Sequence, residues 1–398
     1  PGEAPVTISR SLSNEAPRNR RSKQRYLVST AGQPNWGDEY ITRAWIRYLS
    51  HVEPESEIWL DCPNPGHASL LFQGEHPHLH VVNTLWQLVW NTSHLIDDSN
   101  AAAQQMRDWI RMSGTPREDC GLDLLRRVDS IHFLGGGYIN QLWKANVLLL
   151  VAAAEIKKYR PESSIYGTGL GLAPLQGVDL ALAQQSLVNF DHISVRDDAS
   201  AEITGGKGCD DAFLGLLRGN EDWWDTDVPG RAFVCLQQDV VGRWENSIDV
   251  IIESLKLSGI DTAEPVYIVE GIPPEDSWSL ELFKRRWKGD VRLMPFSHLW
   301  NRGFPDPKNS VWVSSRFHMH LLGAATGARG IVARFGNEYY DIKHGSLLKI
   351  GTGWSNLDLS SANPVPISAT NSVDFIEKAK VYSLNKRTEA KDLYGSEA

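Results

Sequence analysis

The 398-residue sequence has few cysteines and no long hydrophobic run. Its 4 cysteines stand far apart, outside any Cys/His spacing typical of zinc, and are too few for a secreted disulfide scaffold. The longest apolar run, residues 147–154, is too short to span a bilayer as a helix. We therefore expect reduced thiols, no metal site and a cytoplasmic location.

An excess of positive charge is also missing. The chain carries 40 Lys and Arg residues against 49 Asp and Glu residues, a formal net charge of −9. Long polyanions such as DNA and RNA are held by many lysine and arginine contacts to phosphate, so we expect no nucleic-acid partner. The negative net charge does not exclude a small anionic substrate, because two or three well-placed arginines can bind it even in an acidic protein.

Strand-sized apolar runs alternate with helical stretches along most of the chain. Clear examples are residues 26–30, 131–134, 192–195, 266–269 and 311–313. Such alternation predicts parallel sheets of the doubly wound kind. A chain of this length also exceeds one ordinary core, so two domains are expected. The predicted fold class is therefore α/β, with two Rossmann-like domains that face a cleft.

Composition indicates where the domains begin and end. The polar residues 1–25 are predicted to be a flexible tail, and the acidic, turn-rich stretch 220–231 separates two halves. We expect Rossmann-like domains over residues 26–219 and 220–370, followed by a helix or tail over 371–398. In such sheets ligands bind beyond the carboxyl ends of the strands. Several polar motifs lie at predicted strand ends, and this shared position is the main reason to treat them as one site.

The motif Asn35-Trp36-Gly37-Asp38 precedes an amphipathic helical pattern. Asn and Asp are favoured at helix starts, where their side chains bind backbone N–H groups, so helix capping is one interpretation. The other is that Asp38 projects into the cleft as a general acid or base.

The glycines Gly135-Gly136-Gly137 follow a predicted strand. Glycines at such a place let the backbone approach a ligand closely, and exposed N–H groups can hold phosphate. The pattern is not GxGxxG, so dinucleotide binding is not favoured. A tight strand-to-helix turn accounts for these glycines equally well.

Arg196 stands at the end of another predicted strand and is followed by Asp197 and Asp198. Either these aspartates neutralise the arginine, or it reaches the cleft and binds a carboxylate or phosphate with its planar fork of donors.

The segment Ser315-Arg316-Phe317-His318 is the most informative, because it joins a buried strand to an apolar helix. Backbone N–H groups and the positive end of the helix dipole point to where an anion would sit. Arg316 adds a fork-shaped donor whose charge-assisted hydrogen bonds are worth about 1.5–3 kcal/mol each. The same dipole favours a neutral imidazole on His318 that is able to accept a proton.

Other residues are weaker candidates. Lys343 follows two tyrosines in what we interpret as a loop, where it either pairs with phosphate or is an ordinary surface lysine. Exposed tryptophans can stack on sugar rings, although most tryptophans are core residues. Trp36, Trp143 and Trp244 are the candidates among the 15 tryptophans of the chain.

Together these segments resemble the polysaccharide pyruvyltransferase family. The resemblance runs from about Tyr26 to Ile350, and the order and spacing of its short motifs are fairly specific. Phe317 departs from the family pattern, in which leucine is more usual. The motifs that carry the resemblance are Asn35-x-Gly37-Asp38, Gly135-Gly136-Gly137, Arg196-Asp197 with Ser200, Asp210-Asp211-Ala212, Ser315-Arg316-x-His318 and Asp341-x-Lys343.

The resemblance implies a fold like that of the type B glycosyltransferases and a specific reaction. A pyruvyl group passes from phosphoenolpyruvate to two hydroxyls of a saccharide, forming a cyclic ketal in exopolysaccharide or cell-wall polysaccharide synthesis, with no cofactor. The first half of the chain would bind the acceptor and the second half the donor. A lipid-linked oligosaccharide acceptor would place the protein at the inner face of the membrane.

The resemblance also implies site residues. Arguments from the family place Arg196, Arg316 and His318 at the donor and Asp38 in catalysis. From the chemistry we add Phe317 and Lys343 to the donor contacts. We give the two proton transfers to Asp38 and His318, without assigning which is acid and which is base. The backbone of the site is predicted to be shaped by Asn35, Gly37, Gly135, Gly136 and Gly137.

Two other functions fit the same architecture. A type B glycosyltransferase would use a nucleotide-sugar donor and would need a pocket for the base. A non-catalytic saccharide-binding protein would bind sugar without turnover.

Overall fold

The computed structural model describes residues 22–112, 117–216, 224–238, 244–308, 310–334, 336, 338–361, 363–368 and 373–395. Most of the predicted tail and part of the predicted boundary at 220–231 lie outside the described residues. The first strand begins at Gln24, so the predicted end of the tail at residue 25 is wrong. Arg25 is buried in this strand, where it forms an ion pair with Glu53 at 2.6 Å.

Six parallel strands form the sheet of the first half. They are β1 (Gln24–Val28), β2 (Glu57–Asp61), β3 (Leu79–Val82), β4 (Ser130–Phe133), β5 (Ser164–Leu170) and β6 (His192–Val195). Their order across the sheet is β3-β2-β1-β4-β5-β6. The strand order reverses between β1 and β4, and ligand crevices in doubly wound sheets lie at such a switch point.

Helices pack around this sheet. They are α1 (Trp36–Val52), α2 (Pro65–Leu71), α3 (Thr84–Asn91), α4 (Ser99–Met112), α5 (Asp119–Leu125), α6 (Val147–Tyr159), α7 (Gly177–Leu187) and α8 (Asp198–Thr204). Helix α1 shows why the sequence folds this way. Ile41, Trp45 and Leu49 form its buried stripe, and Asp38 and Glu39 lie in its first turn, where the helix dipole favours negative charge.

The second half repeats the arrangement. Its strands are β7 (Trp224–Asp225), β8 (Ala232–Cys235), β9 (Val266–Val269), β10 (Val291–Met294), β11 (Phe304–Pro305), β12 (Val311–Ser314), β13 (Arg329–Arg334) and β14 (Ser355–Asp358). The order β10-β9-β8-β12-β13-β14 is parallel throughout and places a second switch point between β8 and β12, while β7 pairs with β11. Its helices are α9 (Trp244–Leu257), α10 (Leu280–Arg286), α11 (Phe296–Arg302), α12 (Phe317–Ala325) and α13 (Glu338–Ile350).

A continuous hydrophobic core joins the two halves. Trp36 and Tyr40 of α1 pack into a cluster that also contains Phe304 and Met319 from the second half. The rings of Trp36 and Phe304 lie 4.9 Å apart, and the Trp36 backbone N–H donates to Gly271 O at 2.9 Å. The start of α1 is therefore held by both halves.

The last helix, α14 (Val373–Tyr394), returns to the first half. Its Lys386 is fully buried and forms an ion pair with Asp211 at 2.8 Å. The Tyr394 hydroxyl is 2.9 Å from Nδ1 of His132 on β4. The segment predicted as a helix or tail is thus a helix that packs against the first domain.

These elements agree with most of the strands expected from the sequence. Strand β14 was missed, because its residues are polar and only Leu357 is fully buried. The predicted α/β class with two Rossmann-like domains is confirmed. Among the described residues, no helix combines the length and apolar character needed to cross a membrane.

Candidate functional site

A cavity of about 730 Å³ lies where the carboxyl ends of the two sheets face each other. Its walls come from the segments after β1, β2, β3, β4 and β6 in the first half, and from those after β8, β9, β12 and β13 in the second. Asp38, Arg196, Arg316, His318 and Lys343 all line it. The structure therefore brings together the residues that the sequence proposed for chemistry and donor binding.

The four residues of the first motif have different places in the structure. Asn35 occupies the N-cap position of α1, but its side chain makes no capping hydrogen bond. Its amide instead donates to the Asp38 carboxylate at 2.8 Å. Trp36 is 2% exposed in the core between the halves, so its proposed contact with sugar is wrong. Asp38 lines the cavity, and the capping interpretation of this motif is not supported.

Gly37 provides the space that His318 occupies. A Cβ atom added at Gly37 would lie 2.0 Å from Nδ1 of His318. Real side chains essentially never approach so closely, so the absence of a side chain at position 37 lets α1 and the start of α12 meet. The first and third motifs are therefore one packed unit.

Asp210 pairs with His318 across the domain boundary. Nε2 of the imidazole lies 3.2 Å and 3.3 Å from the two carboxylate oxygens. Burial alone would raise the pKa of Asp210, but His318 and Arg196 outweigh it and hold this pKa well below its usual range. The Asp210 carboxylate therefore fixes the orientation of the His318 ring at the cavity. Asp210 was part of the family motif, but its contact with His318 was not predicted.

Arg196 reaches the cavity, and both sequence interpretations hold in part. Its guanidinium lies 3.4 Å from Asp210 and 3.7 Å from Asp197. It also lies 4.5 Å from the centre of the Phe317 ring, a cation–π contact between the two halves. A Cβ atom at Gly171 would come within 2.6 Å of this guanidinium, so glycine at that position makes room for the arginine.

The guanidinium of Arg316 binds a carboxylate of the protein itself. Nε and Nη2 donate to Asp276 at 3.0 Å and 2.6 Å. Asp276 is completely buried and also accepts the backbone N–H groups of Gly271 and Ile272. Nothing in the sequence indicated Asp276. Its fixed position orients the Arg316 guanidinium, which still lines the cavity.

Lys343 lies on helix α13 and lines the cavity, so both the predicted loop and the surface lysine are wrong. Burial lowers the pKa of Lys343 well below its ordinary value, Arg196 and Arg316 lower it further, and Asp38 opposes them. These couplings arise because the three cations lie close together around one space. An anion bound among them would stabilise the charged lysine.

A buried pair of histidines joins helices α12 and α13, which carry His318 and Lys343 of the cavity. His320 of α12 and His344 of α13 approach each other at 3.2 Å through their Nδ1 atoms. The ring of His344 donates from Nε2 to Ser315 O, while His320 lies 2.8 Å from the Thr352 hydroxyl. Burial lowers the pKa of His344 to about 4, so the pair is neutral and holds α12 and α13 in register.

Only part of the turn Gly135-Gly136-Gly137 lies at the cavity. The Gly135 N–H donates to Asp211 at 2.8 Å, so it is engaged and the predicted phosphate contact is wrong for this residue. A Cβ atom at Gly135 would meet the Asp211 side chain at 2.9 Å, which explains the glycine. Gly136 has a φ of 150° and forms a bridge with Leu170. Gly137 alone of the three lines the cavity.

The assembled site joins opposite charges in one cavity. Arg196, Arg316 and Lys343 can hold an anion with more than one negative group. Asp38 and His318 are groups able to move protons beside it. Such a set suits the binding and activation of a small, multiply charged anion next to a second, neutral reactant.

Two solved structures share the overall arrangement. One, from Listeria monocytogenes, is described as a UDP-N-acetylglucosamine 2-epimerase; the TM-score is 0.52 at 10% identity, over 94% of this chain and 92% of that chain. The UDP-N-acetylglucosamine 2-epimerase of Methanocaldococcus jannaschii gives 0.50 at 12% identity, over 85% and 91%. At such low identity the likeness shows the fold alone, and it confirms the two Rossmann-like domains of the type B glycosyltransferase kind. Comparison with curated protein sequences gave no match.

A family model identifies the family that the chain matches. The model of polysaccharide pyruvyl transferases matches residues 35–275, more than half of the chain. This stretch contains Asp38, Arg196 and Asp210, and the fold brings Arg316 and His318 from beyond its end to the same cavity. The chain belongs to the polysaccharide pyruvyl transferase family and is a transferase.

Proposed function

We propose that the protein transfers a pyruvyl group from phosphoenolpyruvate to two hydroxyls of a saccharide, forming a cyclic ketal in exopolysaccharide or cell-wall polysaccharide synthesis. The observation that carries this proposal is the meeting of Arg196, Arg316 and Lys343 in one cavity beside Asp38 and His318. Membership of the family supplies the reaction class. The acceptor is a saccharide, free or lipid-linked, and a lipid-linked acceptor would bring the enzyme to the inner face of the membrane.

The donor matches the charge of the cavity. Phosphoenolpyruvate carries a carboxylate and a phosphate, and the two arginines and the lysine provide donors for both. Because burial and the neighbouring arginines disfavour the cation on Lys343, an incoming anion raises the pKa of that amine.

The reaction requires the addition of two sugar hydroxyls and the departure of one phosphate. One sugar hydroxyl adds to the central carbon of phosphoenolpyruvate while a proton is delivered to the methylene carbon, which becomes a methyl group. Phosphate leaves with the electrons of its C–O bond, and the second hydroxyl adds to the resulting oxocarbenium-like carbon. One hydroxyl proton is balanced by the new methyl C–H and the other leaves on hydrogen phosphate.

The protein supplies proton transfer and charge stabilisation for these steps. Asp38 and His318 carry the proton transfers, each typically worth ~10²–10⁴ in rate. Asp210, 3.2 Å from His318, stabilises the imidazolium whenever the ring holds a proton. Arg196, Arg316 and Lys343 stabilise the negative charge of the departing phosphate.

The direct test is incubation with phosphoenolpyruvate and a panel of galactose- and mannose-type glycosides. We expect phosphate release and a pyruvylated sugar detected by mass spectrometry. Absence of transfer across a broad panel that includes lipid-linked acceptors would contradict the proposal.

Two variants examine the donor site. Arg316→Lys keeps a cation but loses the planar fork, whereas alanine would leave the buried Asp276 carboxylate without its partner. Lys343→Met removes the lysine charge. Both should raise the KM for phosphoenolpyruvate about tenfold or more, whereas Lys349→Met, on the exposed face of the same helix, should leave it unchanged.

The rival nucleotide-sugar function makes a different prediction. A ligand that binds the folded state raises the unfolding temperature. Stabilisation by UDP- or GDP-sugars rather than by phosphoenolpyruvate would favour a glycosyltransferase, and sugar binding without any turnover would favour a binding protein.

A further inference from the structure

We infer that Trp90 and Trp143 form the acceptor-binding wall of the cavity, on which an uncharged pyranose ring stacks. The inference rests on the proposed function and deepens it, because it names the surface that takes the sugar and the class of sugar that fits.

The two tryptophans stand apart from the rest by their exposure. They are 42% and 49% exposed, whereas the other tryptophans with described side chains are buried or half-buried. Both line the cavity. Large aromatic side chains are normally mostly buried, since their apolar area is costly to leave in water. Two exposed indoles at the same cavity therefore indicate a surface kept open for a ligand.

Buried polar side chains anchor the backbone of the two segments that carry the indoles. Helix α3, which carries Trp90, is anchored at its start by the buried Asp61, which accepts the Leu85 N–H at 2.7 Å. Burial raises the pKa of Asp61 to about 7. Trp143 lies in the 3₁₀ segment Gln141–Asn146, where Asn140 accepts the Leu142 N–H at 2.9 Å. A backbone anchored in this way loses little entropy when a ligand binds.

The surroundings of the indoles point to a neutral ligand. Trp86, Tyr138 and Asn146 line the cavity with them, and the Trp86 and Tyr138 rings lie 5.9 Å apart. Among the described residues that line the cavity from the first half, the charged ones are Asp38 and Arg196. The electron-rich face of an indole attracts the weakly positive C–H groups on one face of a pyranose.

The position of the wall suits transfer. The cations proposed to hold the donor, at the start of α12, on α13 and at the end of β6, line the same cavity, as do Asp38 and His318. A sugar stacked on the indoles therefore shares this cavity with the donor. An uncharged ring is favoured there, because an anionic sugar would compete with phosphoenolpyruvate for the same three cations.

Binding can be tested without donor or turnover. Saturation-transfer NMR on the intact chain uses methyl glycosides of galactose, mannose, glucose and N-acetylglucosamine, with uridine as a comparison. We expect at least one glycoside to receive saturation from aromatic protons of the wild type, and Trp90→Ala and Trp143→Ala to remove most of that signal. Leu142→Ala, an exposed neighbour that does not line the cavity, is the control and should keep it.

Kinetics then separates this inference from the proposed function. Each tryptophan variant should raise the acceptor KM about tenfold while the KM for phosphoenolpyruvate stays unchanged. Glycoside binding without pyruvyl transfer would overturn the proposed function but leave the wall intact. Unchanged glycoside binding in both tryptophan variants, no glycoside binding by the wild type, or uridine binding that depends on the indoles would overturn the inference.

Discussion

At the scale of single residues, the site depends on close packing between side chains from distant parts of the chain. Gly37 touches the His318 ring, His318 faces Asp210, and Arg196 stacks on Phe317. Each of these contacts joins the first half of the chain to the second. The chemistry of the site is therefore sensitive to changes of a single methyl group or a single charge.

Gly37→Ala should inactivate the protein. The added methyl carbon would lie 2.0 Å from Nδ1 of His318, so the imidazole must move away from Asp210. We expect kcat to fall about 10²-fold or more, the usual effect of displacing an acid or base. Gly345→Ala on α13 is the control, because a Cβ atom there meets nothing within 4 Å. If Gly37→Ala keeps full activity, the contact is unimportant for the reaction.

Asp210→Asn should lower the activity. The substitution keeps the shape and the hydrogen bond to the Ala212 N–H, but it removes the negative charge beside His318. We expect kcat to fall about 10²-fold, because the imidazole loses the carboxylate that orients it for proton transfer.

The control for this measurement is Asp198→Asn, an exposed carboxylate on α8. An unchanged kcat in Asp210→Asn would contradict the proposed role of Asp210 in orienting His318.

At the scale of elements, the least expected feature is the return of α14 to the first domain. Its Lys386 binds Asp211, which also accepts the Trp45 indole N–H and the Gly135 N–H. Asp211 adjoins Asp210, the partner of His318. The last helix thus fixes the turn that presents Asp210 to the cavity.

Lys386→Met should destabilise the fold by about 3–5 kcal/mol, since it leaves the buried Asp211 without its cation. Urea unfolding measures the change. Lys380→Met, on the exposed face of the same helix, removes a surface pair with Glu377 and should cost less than about 1 kcal/mol. Equal stabilities of the two variants would show that the buried pair contributes no more than the surface pair.

The same cluster predicts sensitivity to acid. Burial alone would raise the pKa of Glu389, but Lys386 and His192 outweigh it and lower this pKa from 4.5 to about 2. Because the folded value lies below the unfolded one, this stabilisation is complete above pH 4.5 and is lost as pH falls towards about 2. The fall in unfolding free energy over this range should be smaller in Lys386→Met.

At the scale of the whole molecule, the two sheets share one core and one cavity. Trp36 is buried against Phe304, so the halves are expected to unfold together. Calorimetry should show a single transition. Under the proposed function, phosphoenolpyruvate contacts groups from both halves and should raise the temperature of this transition, with a stabilisation of about 2.7 kcal/mol at a concentration 100 times its Kd. Two separate transitions, of which only one responds to phosphoenolpyruvate, would contradict this description.

The local pattern of the sequence was enough to predict most helices and strands and the edge of the sheets at which the site lies. Apolar runs predicted most strands, and their alternation with helices predicted parallel sheets, whose carboxyl ends must meet at one edge. Arg196 and Arg316 could therefore be placed at a cleft, because each follows such a strand. Strand β14 escaped because a polar edge segment carries no apolar signal.

The pairing of side chains was decided by the tertiary structure. The Asp210–His318 contact joins residues 108 positions apart, and the Arg316–Asp276 contact spans 40. Sequence likewise could not separate Trp36, which is buried between the halves, from Trp143, which lines the cavity. The physical reason is that hydrophobic periodicity acts over one turn or one strand, whereas the partner of a charge or a ring depends on how two complete domains pack together.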